Sequence, residues 1–249
     1  MQVLSQAKAK QIRAIHQKKE RIASGLFLVE GAKSVLETLK CDWEISILVG
    51  TTEFFNQNYE VAERYSSLAY FVEKDQLAKL STFQSNDSVL AVVRKKAQKS
   101  QPDSAAPLWL ALDGLADPGN LGTIIRVADW YGLSEIICLG DMVEWHNPKV
   151  ISSTMGSFLR IEPVFMNLDS LKAIKDRPLL AADMHGTSLF QFQFPQKSTL
   201  LIGNEAHGLS PKILNVCAQR ISIPRFGQAE SLNAAMATGI LVNHWRSGL

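Results

Sequence analysis

The sequence of 249 residues contains only three cysteines, which lie far apart and form no Cys-x-x-Cys pair. A disulfide framework or a zinc site is therefore not expected, and no metal is predicted. No apolar run approaches the ~20 residues that a membrane-spanning helix needs. The amino terminus also lacks the apolar core of a secretion signal. Together these absences predict a cytoplasmic protein with reduced cysteines.

The glycine-rich loops of the common nucleotide-binding folds are missing as well. No Gly-x-Gly occurs anywhere in the chain, and neither a Walker loop nor a Gly-x-Ser-x-Gly nucleophile elbow is present. If the protein binds a nucleoside cofactor, it must therefore do so by a route other than the dinucleotide-binding fingerprint.

Charge is nearly balanced over the whole chain, at a net +2, but it is unevenly distributed. The first 100 residues hold 15 Lys/Arg and 11 Asp/Glu, whereas the remaining residues hold 11 and 13. Basic clusters can contact phosphate, although a solvated helix face and a charged linker are the simpler explanation when the clusters are taken alone. The excess lies in two groups: Lys8, Lys10, Arg13, Lys18, Lys19 and Arg21, then Arg94, Lys95, Lys96 and Lys99.

Two α/β units joined by a linker are predicted from the alternation of apolar and amphipathic segments. Residues 5–24 predict one basic amphipathic helix, and residues 96–106, charged and then rich in Ser, Pro and Ala, predict the linker. The predicted domains are 1–95 and 107–249, the second with a mainly parallel sheet buried on both faces. The predicted strands are Leu26–Val29, Ile45–Val49, Leu68–Val72, Val89–Val93, Leu108–Leu112, Ile136–Leu139, Ile161–Val164, Leu179–Ala182, Thr199–Ile202 and Arg220–Ile223.

Three segments rich in glycine or asparagine each follow an apolar run that is predicted to be a buried strand. They are Asp117–Arg126, Ile202–Leu209 and Ile223–Asn233, called motifs one, two and three below. Polar side chains that gather at several strand ends of an α/β domain are typical of a ligand site.

Each motif also has a purely structural explanation. Arg126 lies mid-helix among apolar residues and needs a carboxylate or phosphate partner, so it can be half of an internal salt bridge. Glu205 can belong to a helix-capping turn, and His207 is interpreted as a surface or packing histidine. Ser231 is predicted to be the N-cap of the last helix, with the donors of Asn233 free near the helix start.

In order and composition the three motifs resemble those of the SpoU (TrmH-like) family, the RNA ribose-2′-O-methyltransferases of the SPOUT superfamily. Asn147–Ser157 is similar to the segment that this family has between its first two motifs. Lys10–Leu39, with Phe27-Leu28-Val29-Glu30-Gly31, looks like the substrate-binding domain of the family. The resemblance therefore covers nearly the whole chain.

The resemblance implies a parallel-sheet domain with a deep trefoil knot that binds S-adenosylmethionine. It also implies a smaller, ribosomal-protein-like α/β domain that binds RNA, and a homodimer. The implied activity is methylation of a ribose 2′-oxygen, with large-subunit rRNA favoured as substrate. The implied catalytic residues are Asn120, Arg126, Glu205, Ser231 and Asn233, and the implied cofactor-binding residues are Gly203, Asn204, Ile223, Pro224 and Leu232.

Three alternatives stay open at this point. They are the same reaction on tRNA, a non-catalytic RNA-binding factor of ribosome assembly, and a metabolic α/β enzyme for a small substrate. Because an arginine stays protonated up to a pKa above ~12, our hypothesis is that Arg126 clamps a substrate phosphate and stabilises the developing alkoxide, instead of acting as a base.

Overall fold

The computed structural model describes residues 2–248. Its strands are β1 Gln2–Val3, β2 Leu26–Glu30, β3 Ile45–Gly50, β4 Ala69–Phe71, β5 Val89–Arg94, β6 Leu108–Asp113, β7 Glu135–Leu139, β8 Glu162–Met166, β9 Leu179–Ser188, β10 Ser198–Ile202 and β11 Gln219–Ser222. Its α-helices are α1 Gln6–Ala14, α2 Lys18–Ser24, α3 Ala32–Lys40, α4 Thr52–Gln57, α5 Tyr59–Arg64, α6 Lys74–Leu80, α7 Pro118–Trp130, α8 Pro148–Ser153, α9 Leu168–Ala173, α10 Pro211–Leu214 and α11 Ala234–Ser247, with a 3₁₀ turn at Ser157–Leu159.

The chain divides into two compact units. The first unit comprises the residues up to Ala97 together with His146–Leu159, and the second comprises Gln98–Trp145 together with the residues from Arg160 onward. The α/β architecture predicted for both parts of the chain is confirmed. The functional division into residues 1–95, 96–106 and 107–249 remains a prediction.

The sheet of the first unit has the strand order β1-β4-β3-β5-β2. β5 runs antiparallel to its neighbours β2 and β3, and β3 runs parallel to β4. Alternate residues of β2 enter different cores, since Phe27 faces one cluster and Leu28 the other. The sheet is therefore covered on both faces.

The predicted single helix over residues 5–24 is wrong, because the structure breaks it into α1 and α2. Arg21 is buried, and its guanidinium donates to the carbonyl oxygens of Ile15 at 2.9 Å and His16 at 2.7 Å. These carbonyls follow the end of α1 and would otherwise lack partners. A side chain from α2 thus stabilises the end of α1 and fixes the break.

The segment His146–Leu159 packs with the first unit, although the sequence placed it within residues 107–249. The ring of Phe158 lies edge-on to Phe27, with centroids 6.0 Å apart, and also contacts Trp43. Ile151 and Phe158 are both part of one of the two cores of this unit.

The second unit is built on a six-stranded sheet with the order β11-β9-β10-β6-β7-β8. Every neighbouring pair in this sheet is parallel, which confirms the predicted parallel sheet. β6 leads through β7 to β8 on one side, whereas β9 to β11 lie on the other. The strand order reverses between β6 and β10, and ligands of open parallel sheets bind outside the carboxyl ends of strands at such a point. The trefoil knot remains a prediction.

The stretch predicted as a linker, residues 96–106, is fixed to the second unit over most of its length. The ammonium of Lys99 lies 2.8 Å from a carboxylate oxygen of buried Glu135. The guanidinium of Arg177, itself buried, donates to the carbonyl oxygen of Ala106 at 3.0 Å. These contacts tie the stretch to the second unit.

All three cysteines are free. Burial raises the pKa of the Cys138 thiol well above its ordinary value, and burial also raises the pKa of Cys217, to about 11. Within residues 2–248, no group of side chains is arranged to hold a metal ion, and no helix is long and apolar enough to span a membrane.

Candidate active site

Glu205 joins motif two to motif one. It follows β10, and its carboxylate accepts hydrogen bonds from the backbone N–H groups of Ala116 at 3.3 Å and Asp117 at 3.2 Å. It also accepts one from the side-chain amide of Asn120 at 2.9 Å. The carboxylate therefore bridges the loops that leave the adjacent strands β6 and β10, at the point where the strand order reverses.

Asn120 and Asn233 join motif one to motif three. The amide nitrogen of Asn233 donates to the amide oxygen of Asn120 at 2.6 Å. Because the Glu205 carboxylate only accepts, the Asn120 amide has one possible orientation, with its nitrogen toward Glu205 and its oxygen toward Asn233. A chain of hydrogen bonds thus runs from Asn233 through Asn120 to Glu205 and connects all three motifs.

The environment of Glu205 keeps its carboxylate ionised. Burial opposes ionisation, but the hydrogen bonds from Asn120 and from nearby backbone N–H groups outweigh it and hold the pKa of Glu205 below its ordinary value. At neutral pH the residue is therefore an acceptor that positions other groups and cannot donate a proton.

Asn233 is the N-cap of α11, so the prediction that Ser231 has this role is wrong. The amide oxygen of Asn233 accepts from the backbone N–H groups of Ala235 at 2.8 Å and Met236 at 3.3 Å. Its nitrogen donates to Asn120, so its donors are not free as predicted. Ser231 is exposed, two residues before the cap, and makes no hydrogen bond with a described residue.

Arg126 lies on α7, six residues after Asn120, which is about 9 Å along a helix axis. Its side chain is exposed and forms no ion pair or hydrogen bond with any residue in the described range 2–248. An internal salt bridge, the structural explanation considered from the sequence, is therefore absent from this part of the chain. The guanidinium is available to an external anion.

Asn204 and Gly203 shape the loop after β10. The side chain of Asn204 donates to the Gly114 carbonyl oxygen at 2.8 Å and accepts from the N–H of Ala206 at 2.9 Å, so its polar atoms hold the loop. A Cβ on Gly203 would clash with the backbone carbon of Gly208. The close neighbour that requires glycine here is therefore the loop itself.

The remaining cofactor candidates lie on the segment that connects β11 to α11. Ile223 and Pro224 are half-buried, and Leu232 is 49% exposed. Within the described chain, residues 223–232 make no backbone–backbone hydrogen bonds. Backbone groups that the protein leaves unpaired in this loop can bind a ligand through its polar edges. The site therefore fits a nucleoside cofactor held by backbone groups.

The sequence did not identify two aspartates whose carboxylates hold the backbone around the site. Asp117 is the N-cap of α7, because its carboxylate accepts from the N–H of Asn120 at 2.7 Å. Asp113, at the end of β6, accepts from the N–H of Ser210 at 3.2 Å. The Asp-Pro pair at the start of α7 is a recognisable capping signal. His207 is exposed, in keeping with its interpretation as a surface residue.

The chain is similar to known proteins over nearly its whole length. A family model described as the SpoU rRNA Methylase family matches residues 107–243, and one described as an MRM3-like substrate binding domain matches residues 6–91. The 23S rRNA (guanosine(2553)-2′-O)-methyltransferase RlmP of Bacillus subtilis is 31% identical over 244 residues, with 96% of each chain covered. The 23S rRNA (uridine(2479)-2′-O)-methyltransferase of Streptomyces viridochromogenes is 31% identical, with 89% of this chain and 83% of that protein covered.

The fold is also similar to that of solved methyltransferase structures. The AdoMet-bound rRNA methyltransferase from Sinorhizobium meliloti superposes with a TM-score of 0.89 at 28% identity, covering 100% of this chain and 97% of that one. The SpoU methyltransferase AviRb from Streptomyces viridochromogenes, in complex with AdoMet, gives 0.84 at 27% identity, with 98% of each chain covered.

The parallel sheet, the three connected motifs and these similarities define an S-adenosylmethionine-dependent RNA ribose-2′-O-methyltransferase. The chain belongs to the SpoU rRNA methylase family. The small-substrate metabolic enzyme and the non-catalytic RNA-binding factor considered from the sequence are thereby set aside.

Proposed function

We propose that this enzyme methylates a ribose 2′-oxygen of large-subunit rRNA. The observation that carries the proposal is the hydrogen-bonded chain Asn233–Asn120–Glu205, which lies in the same unit as the unpaired Arg126. Relatives aligned over most of this chain are named as 23S rRNA methyltransferases, with a guanosine target in one case and a uridine in another. These names favour the large-subunit rRNA over tRNA.

The proposed catalytic surface consists of Asn120, Arg126, Glu205, Ser231 and Asn233. The amide oxygen of Asn120 has two lone pairs and uses one to accept from Asn233. The other can accept from the attacking ribose hydroxyl and orient it. Glu205 keeps the Asn120 amide in the required orientation and holds the two loops together.

Arg126 has the role of an external anion clamp in this proposal. Its planar guanidinium can hold a substrate phosphate by two parallel hydrogen bonds, and its fixed positive charge stabilises the negative charge that develops on the ribose oxygen. When bound, S-adenosylmethionine supplies the methyl group. The residues proposed to hold it are Gly203, Asn204, Ile223, Pro224 and Leu232, mainly through backbone atoms.

A homodimer in the cytoplasm completes the proposal. α7 and α11 pack against each other, and each carries an exposed large apolar side chain, Trp130 at 84% and Met236 at 59%. Exposed apolar side chains of this kind suit burial against a second copy. Sedimentation of the purified protein tests this part, since a monomer at micromolar concentration would contradict it.

Transfer of tritiated methyl from S-adenosylmethionine into total RNA tests the activity. The RNA comes from cells that lack this gene and is fractionated by size. Label in the large rRNA is expected. Label confined to the tRNA fraction would keep the chemistry and overturn the substrate, while absence of label with cofactor binding intact would direct the search to precursor RNA.

A further inference from the structure

The α1–α2 region carries positive charge that the protein itself leaves unneutralised. Four of its side chains are exposed and form no ion pair with a described residue; they are Lys10, Arg13, Lys18 and Lys19, called the elbow cations below. Glu20 is the one acidic residue between residues 2 and 29. A patch with four free cations and a single acid attracts polyanions.

The break between α1 and α2, called the elbow below, holds these charges close together. Lys10 and Arg13 are three residues apart on α1 and therefore share one face of that helix. Buried Arg21 ties α2 to the end of α1 by donating to the carbonyl oxygens of Ile15 and His16. The first turn of α2, which carries Lys18 and Lys19, is thereby held beside the last turn of α1. Charges on a fixed frame lose less entropy on binding than charges on a mobile tail.

The edge of the first unit at which β2, β3 and β4 end has the opposite charge. β2, β3 and β4 share one direction, so they end at the same edge, where β5 begins. Lys74 is already paired there with Glu53 at 3.1 Å. The charged residues at this edge are Glu30, Glu53, Glu73, Asp75 and Asp87 against Lys33 and Lys74. This edge is net negative and disfavours phosphate.

The second basic stretch of the sequence lies beside the carboxyl end of α2. The N–H of Lys95, just after β5, donates to the carbonyl oxygen of Gly25 at 2.8 Å, and Gly25 follows α2 directly. Arg94 is paired with Glu44 at 2.8 Å, and the Lys96 ammonium lies 4.9 Å from the centre of the Trp43 ring. Basic residues distant in sequence therefore lie next to the carboxyl end of α2.

We propose that the first unit grips the phosphate backbone of RNA through the elbow cations and not through the loops at the carboxyl ends of β2, β3 and β4. The partner is RNA because the proposed function requires it. The contacts are proposed to be independent of sequence, because neutralisation of phosphates by lysine and arginine depends on charge and not on the base. The elbow supplies affinity and orientation, while the choice of nucleotide is made elsewhere.

Two triple variants of the full-length protein test this proposal. Lys10→Gln/Arg13→Gln/Lys18→Gln removes three elbow cations. Lys33→Gln/Lys40→Gln/Arg64→Gln removes two lysines and one arginine from exposed positions elsewhere in the same unit, so that both variants lose the same charge. Dissociation constants for an in vitro transcript of 23S rRNA are measured from about 50 to about 300 mM KCl.

The elbow variant is expected to flatten the dependence of log affinity on log salt by about 2–3, since each lost contact removes ~0.7–0.9 from the slope. Its affinity at ~100 mM salt is expected to fall on the order of ten- to a hundredfold. The control variant should change the slope by less than ~1. Methylation by the elbow variant should show a raised KM for RNA with kcat at saturating RNA nearly unchanged, because the elbow does not touch the reacting atoms.

Equal slope changes in the two variants would overturn the proposal, since net charge alone would then explain the binding. The same holds for a larger change in the control. This failure is distinct from failure of the proposed function. If the wild type transfers methyl but the slopes of the variants agree, the elbow proposal is wrong and the function stands. If the slopes differ as expected but no methyl is transferred to any RNA, the function is wrong and the elbow proposal stands.

Discussion

Replacement of Glu205 by glutamine probes the bond network that connects the three motifs. The carboxylate accepts from three donors, the N–H groups of Ala116 and Asp117 and the amide of Asn120. A glutamine amide has one oxygen to accept with, and its NH₂ group would face at least one of these donors. Glu205→Gln therefore loses one or two charge-assisted hydrogen bonds and leaves the Asn120 amide without its anchor.

The cost follows from the exposure of the site. A hydrogen bond to a charged group contributes roughly 1.5–3 kcal/mol when well buried, and this half-exposed carboxylate is at or below the lower end of that range. We therefore expect the second unit to lose about 1–2 kcal/mol of unfolding free energy at pH 7.5. Since a displacement of about 1 Å in an active site can reduce the rate on the order of a hundredfold, we expect kcat to fall ten- to a hundredfold.

The contribution of Glu205 to the free energy of unfolding depends on pH. The folded-state pKa of Glu205 lies below its ordinary value of 4.5, so its contribution to stability is present above 4.5 and is lost as the pH falls through the lower folded-state value. The difference in unfolding free energy between wild type and Glu205→Gln should thus be constant near neutrality and shrink below about pH 4.5.

Urea denaturation across pH, together with single-turnover methyl transfer, measures both effects. Asp169→Asn is a carboxylate-to-amide control at a side chain that is 94% exposed and lies 3.8 Å from Lys172. It should change the unfolding free energy by less than about 0.5 kcal/mol and leave the rate unchanged. Equal stability of Glu205→Gln and wild type at pH 7.5 would refute the reasoning. A difference that persists undiminished in acid would refute it equally, because it could not then come from an ionised Glu205.

Three further predictions concern neighbouring side chains. Arg126→Lys should lower kcat at saturating RNA by more than about tenfold while cofactor affinity by calorimetry stays unchanged, because lysine cannot hold a phosphate in two parallel hydrogen bonds; a near-normal rate would exclude the clamp. Asn233→Ser should keep the α11 cap, with a melting temperature close to that of wild type, yet lose methyl transfer because serine is too short to reach Asn120; Asn233→Ala should lose both, with about 1 kcal/mol of stability. Arg225 is exposed and makes one long hydrogen bond, 3.4 Å, to the Ala229 carbonyl oxygen, so Arg225→Gln should reduce the salt slope of RNA binding by ~0.7–0.9 if it contacts a phosphate. An unchanged slope would leave it without that role.

The sheets were predictable from sequence because their strands are short apolar runs with polar flanks. The strand predicted at Leu108–Leu112 is present as β6, for example, and the helix predicted to follow it is present as α7. The gathering of Glu205 and Asn120 at adjacent strand ends also followed from a parallel sheet, because carboxyl ends of parallel strands lie at one edge.

Other features depend on contacts between residues distant in sequence, which no local pattern reveals. The break between α1 and α2 requires Arg21 to reach back to the carbonyls of the first helix. Ser231 and Asn233 are equally suited to an N-cap by residue type. Only Asn233 caps α11, and its nitrogen reaches Asn120, 113 residues away. The anchoring of residues 96–106 was missed for the same reason, since Arg177 lies 71 residues beyond Ala106.

The assignment of His146–Leu159 to the first unit has a consequence for how this chain is made. During synthesis from the amino terminus, the first 97 residues are complete well before Ile151 and Phe158 leave the ribosome, so the core to which these two belong cannot close until about 60 more residues have been added. By then β6, α7 and β7 of the second unit have already been synthesised. Final closure of the two units is therefore coupled in time, and a single crossover between the units could not exchange the first one intact between relatives. The first unit consists of two chain segments separated by part of the second unit, so the two units are synthesised and inherited together.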